Sequence, residues 1–179
     1  YRLADSWAAR LVADADVKPN TLVLDIGAGD GTITAPLVDA GARVVAFELH
    51  AGRRRELQDR FVGDPVTVVR ADVADLRLPR RPFRVVANPP FAVASPLLRR
   101  LLAPGSRLEA ADLVLPRSVA NRWVAGRAPG VNRWVHEYDL RLGRRLPRSA
   151  FTPRPTVDCV VLTIRRRKGL GRPRHRPRR

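Results

Sequence analysis

The chain has 179 residues, 45% of them hydrophobic, and carries 34 Lys and Arg against 17 Asp and Glu, a formal net charge of +17. That length fits one domain with a sizeable core, and no apolar run approaches the roughly 18 residues of a membrane span or the h-region of a secretory leader. Lys18 and Lys168 are the only lysines, so the positive excess is almost all arginine, which binds phosphate bidentately and stacks on bases; with no basic amphipathic helix in view, it points to nucleic acid rather than to a membrane surface.

Taken in chain order, Asp5–Ala15 reads as a short amphipathic helix, stopped by Lys18-Pro19-Asn20. Residues 21–26 form an apolar run between turn residues, as a buried strand does. A glycine-rich turn, 27–31, leads into a helix over 32–40 that Gly41 ends. Strand 42–49, helix 51–61, strand 66–69 and strand 83–87 follow. Ser95-Pro96 reads as an N-cap with proline at N1, opening a helix through Leu102. A fifth strand spans 110–115, a helix 117–125, and strands 135–142 and 157–164 are expected to pair antiparallel across a long Pro-rich loop, 143–155. Repeated strand-helix units imply an α/β fold, a mostly parallel twisted sheet covered on both faces, with an antiparallel C-terminal strand pair. Ligands of such sheets bind at the carboxyl ends of the strands.

Three of those strand ends carry nucleotide-site residues. Asp25-Ile-Gly-Ala-Gly-Asp-Gly31 is a Gly-x-Gly-x-Gly turn, not the dinucleotide Gly-x-Gly-x-x-Gly, because position 32 is Thr. Glycine there permits tight turning and close approach of a ligand to the backbone. Glu48 ends the second strand, where an acidic group holds ribose hydroxyls. Asp72 follows the third, placed to accept from an adenine amine. Each alone is equally a turn or a solvated carboxylate; together, with Gly27, Ala28, Gly29, Leu49 and Val73 beside them, they predict an adenosine site. On this half alone a nicotinamide oxidoreductase stays open.

Asn88-Pro89-Pro90-Phe91 follows the fourth strand on the same edge. Here the chain resembles the amino-methyltransferases that act on adenine, cytosine, guanine or glutamine amines. An exocyclic amine is a poor nucleophile, because its lone pair is delocalised. Acceptors at the Asn88 side chain and the Pro89 carbonyl would hold its two hydrogens and favour the pyramidal nitrogen that attacks a sulfonium methyl. Phe91 would stack on the base, worth about 1–3 kcal/mol, against the few kcal/mol of unstacking it. Further on, Phe151-Thr-Pro-Arg-Pro-Thr-Val-Asp158 completes a resemblance, over about 21–164, to the rRNA adenine-N6 dimethyltransferases. That group holds the housekeeping small-subunit enzymes and the Erm enzymes of macrolide resistance. The resemblance implies a Rossmann-like S-adenosylmethionine-dependent domain and puts Phe151 against the target adenine, opposite Phe91. Glu48-Leu-His50 and the Arg80–Pro90 stretch are similar to actinobacterial Erm sequences. The implied target is the macrolide-site adenine of 23S rRNA.

Two departures stand out. The family's Gln-Asn-Phe-Leu-like motif, which meets the methionine end of the cofactor, is represented only by Tyr1-Arg-Leu3, with Leu3 as the remaining cofactor contact. The chain contains no Met, so the natural start is expected upstream. Where the family carries a small helical C-terminal domain, that domain is expected to be absent here and its place taken by an arginine-rich tail, 165–179, with nine basic groups and no acidic ones. Residues 1–164 are then the catalytic domain, itself at +8, and the tail is expected to be disordered alone. Arg117, Arg148, Arg154, Arg165, Arg166, Arg167 and Lys168 are the expected RNA contacts, through phosphate. No metal is expected, since His50, His136 and His175 have no ligand spacing. Cys159 alone forms no internal disulfide, which suits a reducing cytoplasm, and a monomer is the expected state. The competing readings are a 16S rRNA, DNA or protein-glutamine methyltransferase, and a non-catalytic RNA-binding module.

Overall fold

The computed structural model describes residues 1–168. After a two-residue strand β1 (Arg2–Leu3), helix α1 (Asp5–Ala15) buries Ala8, Leu11, Val12 and Ala15, the i, i+3, i+4, i+7 stripe of a helix lying on a sheet. Then come β2 (Leu22–Ile26), α2 (Thr34–Asp39), β3 (Arg43–Phe47), α3 (Ala51–Arg60), β4 (Val66–Val69), β5 (Phe83–Ala87), α4 (Ala94–Leu101), β6 (Leu108–Pro116), α5 (Arg117–Val124), α6 (Val131–Trp134), β7 (Tyr138–Leu146), β8 (Phe151–Thr152) and β9 (Cys159–Arg166).

Seven strands form one sheet in the order β4-β3-β2-β5-β6-β9-β7, and β1 pairs antiparallel with β8 as a separate ribbon. Strands β2 to β6 run parallel; β9 is antiparallel to both β6 and β7 and lies between them. The expected C-terminal pair therefore exists, with β9 inserted and β7 as the outer edge. Because β3 and β5 flank β2, the winding reverses there and leaves a crevice at the carboxyl ends of β2 and β5.

Alternation along each strand sends side chains to two cores. Leu24, Val85 and Leu113 meet Leu97, Leu101 and Trp123 on one face. Val23, Val86 and Val114 meet Ala8, Leu11 and Leu37 on the other. Each fully buried leucine contributes roughly 1.5–3 kcal/mol.

Four sequence expectations shift. Helix α2 starts at Thr34, not 32, because Thr32 stays in the glycine turn, its hydroxyl donating to Asp30 Oδ1 at 2.6 Å. Ser95 does not cap α4. The Asn-Pro-Pro turn runs through a 3-10 turn, Phe91–Val93, straight into a helix that begins at Ala94. The expected loop 143–155 is partly strand, since β7 continues to Leu146 past a bulge between Leu142 and Arg145. Gly143 sits in that bulge because a Cβ there would come within 3.1 Å of Thr163 Cγ2 and 3.3 Å of the Val161 carbonyl.

The fourth shift is the boundary expected at 164/165: β9 runs on through Arg166. Arg165 donates to Asp112 Oδ1 at 2.9 Å, and Arg166 pairs with Glu137 at 3.0 Å and donates to the Leu108 carbonyl at 2.8 Å. Both belong to the folded sheet. Asp112 is 2% exposed and also faces Arg84 at 3.9 Å. Burial raises the Asp112 carboxyl above its ordinary value, against the pull of Arg165 and Arg84. Arg84 also donates to the carbonyls of Ala15 and Asp16, closing the open end of α1. Residues 169–179, most of the expected tail, lie outside the described residues.

Candidate active site at the reversal of the sheet

A cavity of about 450 Å³ opens at the carboxyl ends of β2, β3 and β5. Its floor is the turn after β2. Gly27, Gly29 and Gly31 have φ of +77°, +60° and +86°, a region costly for any residue with a Cβ. Two of them are also required by packing. A Cβ on Gly27 would meet Pro90 Cδ at 3.0 Å, and one on Gly31 would meet the Phe61 ring at 2.6 Å. The glycine turn thus lies directly against the Asn-Pro-Pro turn.

Asp25, at the base, is 1% exposed; Oδ2 accepts from the Thr34 hydroxyl at 2.7 Å and Oδ1 has no partner. Burial, aided by repulsion from Glu48, pushes its pKa up to about 7. Glu48 is 7% exposed. Its Oε2 accepts from the Gly29 amide at 2.9 Å and its Oε1 from the His50 amide at 2.8 Å. Those two bonds fix the carboxylate against the glycine turn, and each oxygen keeps a lone pair for a ribose hydroxyl. His50 in turn caps α3, its Nδ1 accepting from Arg53 N–H at 3.4 Å. Leu49, Asp72 and Val73 line the same cavity; the Asp72 carboxylate accepts from the Ala74 amide at 3.1 Å.

On the acceptor side, Asn88, Pro89, Pro90 and Phe91 all line the cavity. Asn88 Nδ2 donates to the Tyr1 carbonyl at 2.8 Å, which leaves Asn88 Oδ1 buried and without a partner. An unpaired buried acceptor is costly unless a donor arrives. Phe91 is half-buried, and the Tyr1 ring lies beside it with centroids 5.0 Å apart.

The structure brings Asp25, Gly27, Ala28, Gly29, Glu48, Leu49, Asp72, Val73, Asn88, Pro89, Phe91 and Leu3 to one cavity. Phe151 is the exception. It is 3% exposed, lies in the core cluster with Leu3, Leu11 and Leu146 against which Phe91 also packs, and is not among the residues lining the cavity. Pairing of Leu3 with Phe151 in the β1–β8 ribbon turns that side chain into the apolar core, so Thr152 and Pro153 line the cavity instead.

The expected RNA arginines divide by position. Arg117 starts α5 at the same end of the sheet as Asn88; Arg148 sits nearby, paired with Asp158 at 3.0 Å, and Arg154 is exposed just beyond Pro153. Arg165 and Arg166 lie at the opposite end, beside the start of β6, with their guanidinium groups already engaged. Arg167 and Lys168 follow them there, exposed. Sequence reading passed over a shallow hollow of about 380 Å³ on α5, lined by Ser118, Asn121, Arg122 and Arg127. It also gave Tyr1 and Arg2 no role of their own. Arg2 bridges Asp30 at 2.5 Å and Asp5 at 2.7 Å, tying β1 to the glycine turn. Burial works to raise the Asp30 carboxyl, but the bonds from Arg2 and Thr32 outweigh it and hold it below the ordinary range. No local pattern signals these contacts, which join residues 28 and 87 positions apart.

Among the described residues, no group of three His, Cys, Asp or Glu could hold a metal ion, and no helix is long and apolar enough to cross a membrane.

Comparison with known proteins agrees with this geometry. The ribosomal RNA adenine dimethylase family model matches residues 4–175. The mycinamicin-resistance protein MyrB of Micromonospora griseorubida is 38% identical over 162 residues, covering 89% of this chain and 50% of that protein. Ribosomal RNA small subunit methyltransferase A of Thermotoga neapolitana is 32% identical over 171 residues, covering 91% and 64%. The chain thus spans about half to two thirds of the length of these relatives. The crystal structure of the 23S rRNA methyltransferase ErmE superposes with a TM-score of 0.82 at 26% identity, covering 94% of this chain and 70% of that one. On sequence and fold together, the chain belongs to the ribosomal RNA adenine dimethylase family of S-adenosylmethionine-dependent methyltransferases.

Proposed function

We propose that the protein methylates the N6 amine of an adenine in 23S rRNA at the macrolide-binding site, and that this confers resistance to macrolides, lincosamides and streptogramin B. The observation that carries the reaction is the Asn88 side chain: its Nδ2 donates to the Tyr1 carbonyl and its Oδ1 is buried without a donor. An exocyclic amine supplies such a donor.

When bound, S-adenosylmethionine supplies an electrophilic methyl on sulfur. Glu48 and Asp72 suit the ribose hydroxyls and the adenine amine of that cofactor, and the Gly27–Gly29 backbone and Leu3 suit its methionine end. Asn88 Oδ1 and the Pro89 carbonyl accept the two hydrogens of the target amine and turn its lone pair out of conjugation. Phe91 stacks on the base. Bound there, the cofactor would give up its methyl to the amine nitrogen held by Asn88 and Pro89, and the nitrogen would pass its extra proton to solvent. Asn88 acts by positioning and electrostatics, so no strong base is needed. Arg117, Arg148 and Arg154, with Arg122 and Arg127, suit phosphate contacts around the acceptor. The reading has the protein acting as a monomer in the cytoplasm. The added methyl removes a donor and adds bulk where the drugs bind.

The 23S target is supported by the mycinamicin-resistance relative and the ErmE likeness. A second reading, an adenine of small-subunit rRNA, is supported by the relative from Thermotoga neapolitana. One experiment separates them. Deproteinised 23S and 16S rRNA are incubated with labelled S-adenosylmethionine, and the modified base is mapped by mass spectrometry. N6-methyladenine at the macrolide site of 23S is the expected result. Label confined to 16S moves the protein to the second reading, and label in neither leaves the methyl-transfer reading without support.

A further inference from the structure

With glycine at 27, 29 and 31, all at positive φ, the turn after β2 has more backbone freedom to lose than any other stretch around the cavity. A turn that binds a ligand through its backbone gains affinity by being held in one shape beforehand. Glu48 does part of this from the cavity side, by accepting from the Gly29 amide. The rest comes from behind the turn. Asp30 sits between Gly29 and Gly31. Its carboxylate oxygens accept from the Thr32 hydroxyl and from Arg2, and its main-chain carbonyl accepts from Arg60 Nη1 at 2.6 Å, across 30 positions of sequence. Next to that bond the Phe61 ring fills the space at Gly31 where a Cβ would stand. The ring is 7% exposed and packs with Ala28, Ala46 and Leu57, and the Arg60 guanidinium lies over it, 5.1 Å from its centroid.

We propose that Arg60 is a positioning residue for cofactor binding: from the end of α3 it holds the Asp30 carbonyl, and through it the glycine turn, in the shape that accepts S-adenosylmethionine. The proposal rests on the cofactor of the family and not on the identity of the RNA. Arg60 is the last residue of α3 and Phe61 follows it, and neither is among the residues lining the cavity, whereas Asp30 is. The two residues therefore act on the turn from its far side. The helix gives Arg60 a fixed base, because Leu57 is fully buried one turn earlier, and a cation suits the negative end of a helix. Without the bond, the Asp30 peptide is free to rotate between its two glycines. The fraction of molecules with a competent turn then falls, and the apparent affinity falls by the same factor.

The test is calorimetric titration of the full chain with S-adenosylhomocysteine, which lacks the sulfonium charge, so that loss of a cation does not act on the ligand directly. Arg60→Met keeps a long helix-favouring stem but no donor, and its Kd should rise about fivefold, the size of one partly exposed hydrogen bond. Arg55→Met takes the same charge from an exposed position on the same helix and should leave Kd within about twofold of wild type. Hydrogen exchange of the ligand-free protein should be faster at the amides of residues 28–32 in Arg60→Met than in wild type, and saturating S-adenosylhomocysteine should remove that difference. In methyl transfer, the same variant should raise KM for S-adenosylmethionine and leave kcat unchanged. Equal Kd in Arg60→Met and wild type overturns the assignment. So does an equal loss in Arg55→Met, or weaker binding with unchanged exchange in the turn. Binding that depends on Arg60, without any methyl transfer to rRNA, upholds the assignment and removes the RNA reading alone.

Discussion

At the amino end of the sheet, Arg84, Arg165 and Arg166 reach internal carboxylates and carbonyls, with Asp112 buried between the first two. At the carboxyl end, the Oδ1 atoms of Asn88 and Asp25 are buried without a partner in residues that line the cavity, whereas the unpartnered atoms of the amino end, Asp112 Oδ2 and Arg84 Nε, belong to an ion-paired group away from it; Arg117 and Arg154 stand at the carboxyl end, and Arg148 pairs there with Asp158. Similar residue types therefore sit in different settings: one set is joined by ion pairs inside the sheet, the other borders an open cavity. Counting arginines in the sequence merges the two sets. Only strand register separates them, because Arg165 pairs with Ala110 at the start of β6 while Cys159 pairs with Pro116 at its end.

The comparison predicts that variants at the two ends fail differently. The largest effect is expected for Asn88→Ala, which removes the acceptor. Methyl transfer should fall by about 10²–10³ in kcat, with the thermal midpoint unchanged or slightly raised, since an unsatisfied buried group is lost. A variant that unfolds, or one that keeps most of its turnover, breaks the division. Asp112→Ala should do the reverse. Arg84 and Arg165 would then face each other without a counter-ion, at a cost of about 3 kcal/mol of stability in urea unfolding, while kcat well below the melting temperature stays within about twofold.

Asp25 gives a pH signature of the cavity end. Burial lifts its folded pKa to about 7, above the 3.8 of a free aspartate. Between those values the folded state holds a proton that the unfolded state has released. The contribution is therefore fully present below about pH 4 and is lost as pH rises to about 7. Asp25→Asn should flatten that stretch of the stability-against-pH curve by an amount on the order of a few kcal/mol; an unchanged slope would show that Asp25 is already ionised in the folded protein. The smallest effect is expected from removing residues 169–179. RNA affinity should drop severalfold at low salt, with a shallower dependence on salt, since phosphate contacts release counter-ions. Unchanged affinity would end the idea that the tail binds RNA.

Much of the fold was legible because strand and helix periods differ and because turn residues separated them. The glycine turn, Glu48, Asp72 and Asn88-Pro-Pro-Phe91 each follow a strand directly, so local reading was enough to gather them on one edge. What escaped depends on tertiary context. The insertion of β9 between β6 and β7 leaves no mark on either strand's alternation. Ser95 has the composition of a cap, but the preceding 3-10 turn starts the helix before it. Phe151 sits in a recognisable run, and its burial follows from pairing with Leu3 nearly 150 positions away. Tyr1-Arg-Leu3 keeps too little of the family motif to show where Tyr1 lies; its place comes from the ribbon and the Arg2 bridges.

The contact between Gly27 and Pro90 has a consequence for how this molecule can change over generations. The glycine turn and the Asn-Pro-Pro turn touch so closely that a Cβ on Gly27 would press on Pro90 at 3.0 Å. Position 27 is held to glycine twice over, by its φ of +77° and by that approach, so making room at position 90 alone would not admit a larger residue. In related chains position 27 should be found invariant, and position 90 should accept only side chains that keep clear of it.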